Sequence, residues 1–189
     1  MNAAPTPEQV EADTLAWLDK AVIGLNLCPF AKSVRVKGQV RVVVSEATEP
    51  EALLALLVVE LQHLADVDPE VTDTTLLVHP QVLSDFLDFN DFLDVADRAL
   101  QQLELDGELQ IASFHPQFQF AGTELDDITN YTNRSPWPTL HLIREASIDR
   151  AVAAFPEAEA IYERNIETLE ALGLKGWQQL FPEPKDTAK

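Results

Sequence analysis

The chain has 189 residues, 46% of them hydrophobic, with a single cysteine and a formal net charge of −19. These figures allow a sizeable core and exclude a disordered polymer and a disulfide framework. They also exclude a nucleic-acid binder, because a phosphate backbone is neutralised by Lys and Arg and only 13 are present.

No apolar run reaches the roughly 18 residues a membrane span needs. The first five residues, MNAAP, lack the basic and apolar blocks of a signal peptide. A cytoplasmic protein with no membrane partner is the expectation.

In chain order, Thr6-Pro7-Glu8-Gln9 predicts a helix start, with Thr6 as cap and Gln9 closing a capping box. Val10, Trp17, Leu18, Ala21, Val22 and Leu25 then recur at helical spacing. Gly24 and Pro29 bracket the helix end, which leaves Cys28 where the helix finishes. That end of a helix dipole disfavours a thiolate, although Lys32 and Arg35 follow closely enough to offset it.

The β-branched run Val40–Val44 predicts the first strand. A second capping pattern at Thr48 and Glu51 introduces residues 52–65, apolar on nearly every side and so expected as a helix sandwiched inside the protein. Residues 74–79 predict a second strand, stopped by Pro80. A long helix is expected over 82–103, with Phe86, Phe89, Leu93, Ala96, Leu100 and Leu103 facing inward and Asp85, Asp88, Asp91 and Asp94 facing water. Asp106-Gly107 turns the chain into a third strand, Leu109–Phe114, and Thr139–Arg144 is the fourth. Ser147 is read as the cap of a short helix ending near Phe155; Pro156 restarts a last helix that Gly173 stops.

Strands separated by full-length helices imply crossover connections. The expected class is α/β or α+β: a single globular domain over 1–181, with a roughly four-stranded mixed or parallel sheet packed by helices. Residues 182–189 read as a flexible tail. The second and third strands both end in His-Pro, at His79 and His115. If those strands run the same way, both histidines reach the carboxyl edge, where open sheets bind ligands.

Charge is unevenly spread. Residues 20–45 contain no acid but hold Lys20, Lys32, Arg35, Lys37 and Arg41; residues 128–144 contain no acid but hold Arg134 and Arg144. In so acidic a chain, two such windows suggest an anion-binding surface. The segment between the third and fourth strands is rich in side-chain chemistry and too irregular for one helix or strand, as binding loops are.

Three segments together carry a resemblance: Gly24-Leu25-Asn26-Leu27-Cys28-Pro29-Phe30, Phe114-His115-Pro116 on to Gly122, and Asn130-Tyr131-Thr132-Asn133-Arg134-Ser135-Pro136. They resemble a bacterial and plant family catalogued as domain of unknown function 1415, over roughly residues 17–177. Where that family's last motif is associated with tyrosine, this chain has Trp137, which keeps an aromatic platform and removes a hydroxyl. The resemblance marks residues and implies no activity.

The sharpest catalytic pairing in the sequence is Cys28 with His115, since a nearby base makes a thiol a competent nucleophile. Asn130 or Asn133 would orient the base. Arg134 would hold a carboxylate or phosphate through paired hydrogen bonds, helped by Lys32 or Arg144, and Tyr131 would stack on a flat ligand. The plainer reading of Cys28 is a small buried hydrophobe. His79, His115 and His141 are the candidate metal ligands, but no H-E-x-x-H or paired-cysteine spacing supports them, so no metal is assigned. His63, on a helix, is read as structural.

The expectation is therefore a protein acting on a small anionic metabolite at Cys28, His115 and Arg134. Two alternatives stand beside it: a non-catalytic module binding an anion or a partner, and a metal-dependent hydrolase or oxygenase using the three histidines. The sequence specifies no cofactor.

Overall fold

The computed structural model describes residues 5–155 and 157–181. Thr6 caps helix α1 (Pro7–Trp17), its hydroxyl accepting from the Gln9 N–H at 3.3 Å. The second half of the expected capping box is not made, because Gln9 Nε2 reaches forward to Asp13 Oδ1 at 2.7 Å. The helix then widens into a π-helical stretch, Leu18–Ile23, and together the two turns bury Val10, Trp17, Leu18, Ala21 and Val22 on one side. The chain closes so tightly here that a side-chain Cβ at Gly24 would stand 2.2 Å from the Lys20 carbonyl oxygen. A short helix α2 (Ala31–Val36) follows directly, with no apolar stripe or side-chain cap to announce it in sequence.

Strands β1 (Val40–Val44), β2 (Thr74–Val78), β3 (Leu109–Phe114) and β4 (Thr139–Arg144) form one mixed sheet in the order β1-β2-β4-β3. β1 and β2 are parallel, joined by the crossover helix α3 (Pro50–Asp66). β4 runs antiparallel between β2 and β3, pairing Leu76 with His141 and Ala112 with His141. Because β4 opposes both neighbours, β2 and β3 point the same way. His79 and His115 therefore leave the sheet at one edge, and Arg144 lies at the other. The fold is α+β.

Side chains alternate across a strand, and the two faces carry separate cores. On one face, Leu77, Leu140, Leu142 and Leu109 pack under α3 and α4 (Phe86–Gln102). On the other, Val40, Leu76, Val78 and Phe114 pack under α1 and the π-helical turn.

Several helices depart from the expected picture. α3 is not sandwiched: Leu53, Leu57, Leu61 and Leu64 form one buried stripe, and Val59 is 56% exposed. α4 begins at Phe86 rather than Val82, since Leu83 takes a left-handed conformation (φ 57°) and Asp85 caps the helix through the N–H groups of Leu87 and Asp88. α5 (Glu145–Ala154) starts as β4 ends, and the Ser147 hydroxyl donates to Asp73 Oδ1 instead of capping it. Gly173 interrupts α6 (Ile161–Leu180) with φ 64° without ending it. Pro156 and the tail from 182 lie outside the described residues.

Candidate functional site

The loop between β3 and β4 uses its distinctive side chains on its own backbone. Asn130 is fully buried; its Oδ1 accepts from the Phe120 N–H at 2.9 Å and from the Thr123 hydroxyl at 2.8 Å, whose one proton is shared with the Phe120 carbonyl, and its Nδ2 donates to the Glu124 carbonyl at 2.9 Å. Asn133 Nδ2 donates to the Ser113 carbonyl. Arg134 donates from Nε to the Phe118 carbonyl at 3.0 Å and from Nη2 to the Leu125 carbonyl at 2.7 Å, with its guanidinium over the Tyr131 ring. Tyr131 in turn packs edge-on against Trp177 of α6. An irregular segment must satisfy its backbone groups without a ladder, and these residues do that.

His115 belongs to the same device. Its Nδ1 accepts from the Gln117 N–H at 3.0 Å, so its Nε2 carries the proton and donates to the Leu83 carbonyl at 3.1 Å. Both nitrogens are thereby occupied, and burial lowers the pKa from the ordinary histidine value. The ring lies 5.0 Å from Phe89 of α4, whose other neighbour is His79 at 5.6 Å.

Cys28 is on the opposite face, packed with Trp17, Val22, Val42 and Phe114. With His115 in the α4 layer and Cys28 in the α1 layer, the two do not form a dyad. Cys28 lies just before α2, where the N–H groups of Phe30 and Ala31 draw its pKa down, yet burial outweighs them and pushes it up. That balance works against a poised thiolate. Iodoacetamide at pH 7.5 should modify Cys28 more slowly in the folded protein than in the urea-unfolded chain; faster modification of the folded form would reveal an activated thiol.

The expected cations are not gathered either. Lys32 is exposed on α2. Arg144 is buried at the far sheet edge, where Nη2 donates to the Val67 and Thr72 carbonyls. Arg134 borders a separate depression with Asp85, Pro116 and Gln117. Of the other cations in the first acid-free window, Arg35 pairs with Asp19 and Arg41 with Glu60, each through two hydrogen bonds. Those acids come from helices on either side of the window. The metal reading meets the same difficulty: His141 is on the Cys28 face, away from His79 and His115, and the described residues hold no group of three or more potential ligands.

What periodicity did not reveal is a cleft of about 830 Å³ on the Cys28 face. Its floor is sheet (Leu76, Ala112, Phe114, His141), one wall runs from Trp17 through Cys28 to Phe30, and the other is α5 through Ile148 and Ala151, continued by Phe155 just past its end. The aromatic contacts are continuous, with Trp17 edge-on to Phe114 at 5.1 Å and Phe114 beside His141 at 6.1 Å. Polar groups collect at the end formed by Gln39, Asp73, Thr74 and Ser147.

There the Thr74 hydroxyl donates its one proton to the Leu142 carbonyl at 2.7 Å, so it accepts from His141 Nε2–H at 2.6 Å. His141 Nδ1 is left as a bare acceptor with no partner among the described residues. Burial lowers the His141 pKa to about 4, which keeps the ring neutral at pH 7.

Among curated proteins and among solved structures, none matches the chain. The family whose model does match is described as "Protein of unknown function (DUF1415)", and the match covers residues 9–179. All three motif segments fall inside that span: the turn carrying Cys28, the His115 loop start and the Asn130–Arg134 staple. The chain belongs to the DUF1415 family.

Proposed function

We propose that the protein binds a small, predominantly apolar molecule in the cleft between the sheet, the Cys28 turn and α5. The observation that carries this reading is the cleft itself. Its volume of about 830 Å³ lies within the roughly 300–1,000 Å³ usual for small-molecule sites, which are lined by apolar and aromatic groups with a few convergent polar ones. Cys28 acts as a wall of the pocket, and His141 supplies an acceptor. The π-helical stretch supports the reading, since such insertions concentrate at functional sites and this one supplies Leu18 and Val22 to the wall.

Action on a small anionic metabolite at Cys28, His115 and Arg134 has weaker support. Cys28 lies on the opposite sheet face from the other two, and His115 and Arg134 are engaged by backbone partners. No described helix is long and apolar enough to cross a membrane.

Titration with the neutral dye Nile red tests the reading. Saturable fluorescence enhancement at one dye per chain is expected. Ala112→Phe, which projects a ring from the floor into the cleft, should weaken the dye at least tenfold while the variant remains folded. Undiminished binding to that variant, or no saturable binding to the wild type, would overturn the reading.

A further inference from the structure

The hydrogen-bond inventory of the polar end narrows the ligand further, on the premise that the cleft is the binding site. Every interior donor there is already committed. Ser147 donates its hydroxyl proton to Asp73 Oδ1 at 2.6 Å and its oxygen accepts from Arg150 Nη2 at 2.9 Å. Gln39 donates to the Glu70 carbonyl at 3.2 Å and its carboxylate at 3.4 Å. The Thr74 proton goes to Leu142 and the His141 Nε2 proton to Thr74.

The acceptors are left over. His141 Nδ1 and Asp73 Oδ2 have no hydrogen-bond partner among the described residues, although Asp73 is only 9% exposed. The Ser147 proton and the Arg150 guanidinium both engage Oδ1, which leaves Oδ2 as the open acceptor on the cleft side. Arg150 stands 3.8 Å away with its own side chain 66% exposed. The cleft rim adds Asp68 and Glu70 against Lys37. Acids therefore outnumber cations three to two along the lining (Asp68, Glu70 and Asp73 against Lys37 and Arg150).

We infer that the ligand is an amine: an apolar or aromatic body along Trp17 and Phe114, with a protonated amino group at the pole formed by Asp73 Oδ2 and His141 Nδ1. An ammonium group offers three donors and no acceptor, the complement of what this pole leaves unpaired. A carboxylate would bring further acceptors to a place that already lacks donors.

Three probes sharing one body, 1-naphthylmethylamine, 1-naphthylmethanol and 1-naphthylacetate, test this by calorimetric titration at pH 7 in low salt. The amine should bind at least tenfold tighter than the alcohol, and the carboxylate should bind weakest. Asp73→Asn should bring the amine down to the alcohol's affinity and leave the alcohol unchanged. A carboxylate that binds as tightly as the amine would overturn the inference, as would an amine preference that survives Asp73→Asn. Should that variant fail to fold, the ranking on the wild-type protein decides. Equal binding of all three probes would sink the amine assignment and leave the cleft reading standing, whereas no binding by any of them would sink both.

Discussion

Asn130→Ala should destabilise the protein by about 3–5 kcal/mol, among the largest effects of any single substitution outside the hydrophobic core. The side chain is fully buried and makes three hydrogen bonds, two accepted from Phe120 N–H and Thr123 and one donated to the Glu124 carbonyl. Removing it orphans the Phe120 N–H, at about 1–3 kcal/mol, and forfeits the bonds to Thr123 and to the Glu124 carbonyl (which keeps the Asp127 N–H), at about 1 kcal/mol each, in a network whose members are not independent. With whole-protein stabilities of about 5–15 kcal/mol, the variant would be close to unfolding at physiological temperature. Urea denaturation measures this directly. A loss below about 1 kcal/mol would mean that water replaces the side chain and that the loop is not organised around it. Asn130→Asp provides a second check, since it keeps the acceptor, loses the donor to Glu124 and adds a buried charge; it should destabilise as well.

Acid should weaken the fold well before the carboxylates protonate. His79 and His141 are both depressed from the ordinary 6.5 to about 4, in each case chiefly by burial. For a histidine with a lowered folded-state pKa, the unfolded chain takes up the proton first. Stability is therefore full above pH 6.5, falls as pH drops through the window from 6.5 to 4, and loses no more from these groups below it. The shift corresponds to about 3 kcal/mol for His79, and less for His141, whose ring is not fully shielded from the cleft. His115 acts in the same direction. Urea midpoints measured between pH 7.5 and 4 should fall steeply, and His79→Gln should flatten the slope. A flat profile across that window would show that these rings are solvated.

The strands were readable almost to the residue. β1, β3 and β4 are runs of β-branched and apolar residues bounded by turn formers, and that pattern is local. The order of the strands was not local: β4 enters between β2 and β3, and nothing in Thr139–Arg144 announces its neighbours. Charge misled for a related reason. A window without acids in sequence is not a region without acids in space, as Arg35 on Asp19 and Arg41 on Glu60 demonstrate.

The loop from His115 to Arg134 stood out by its side chains, which read as binding chemistry. However, their targets are backbone groups, most of them the loop's own and two outside it at Leu83 and Ser113, and those become visible only once the loop has closed. The cleft was hidden most thoroughly. Trp17, Leu18 and Val22 read as the buried face of an ordinary helix, and only the spacing between α5 and the Cys28 turn makes them line a hollow. Asp73 and Ser147, 74 residues apart, carried no hint of their hydrogen bond.

Two-dimensional NMR of the labelled protein, recorded during titration with 1-naphthylmethylamine, bears most directly on where a ligand binds. Progressive, saturable shifts are expected at Trp17, Cys28, Phe114, His141 and Ile148, with His115, Asn130 and Arg134 unmoved. Shifts confined to Arg134, Gln117 and their neighbours, with the cleft signals unchanged, would contradict the assignment and return the site to the loop.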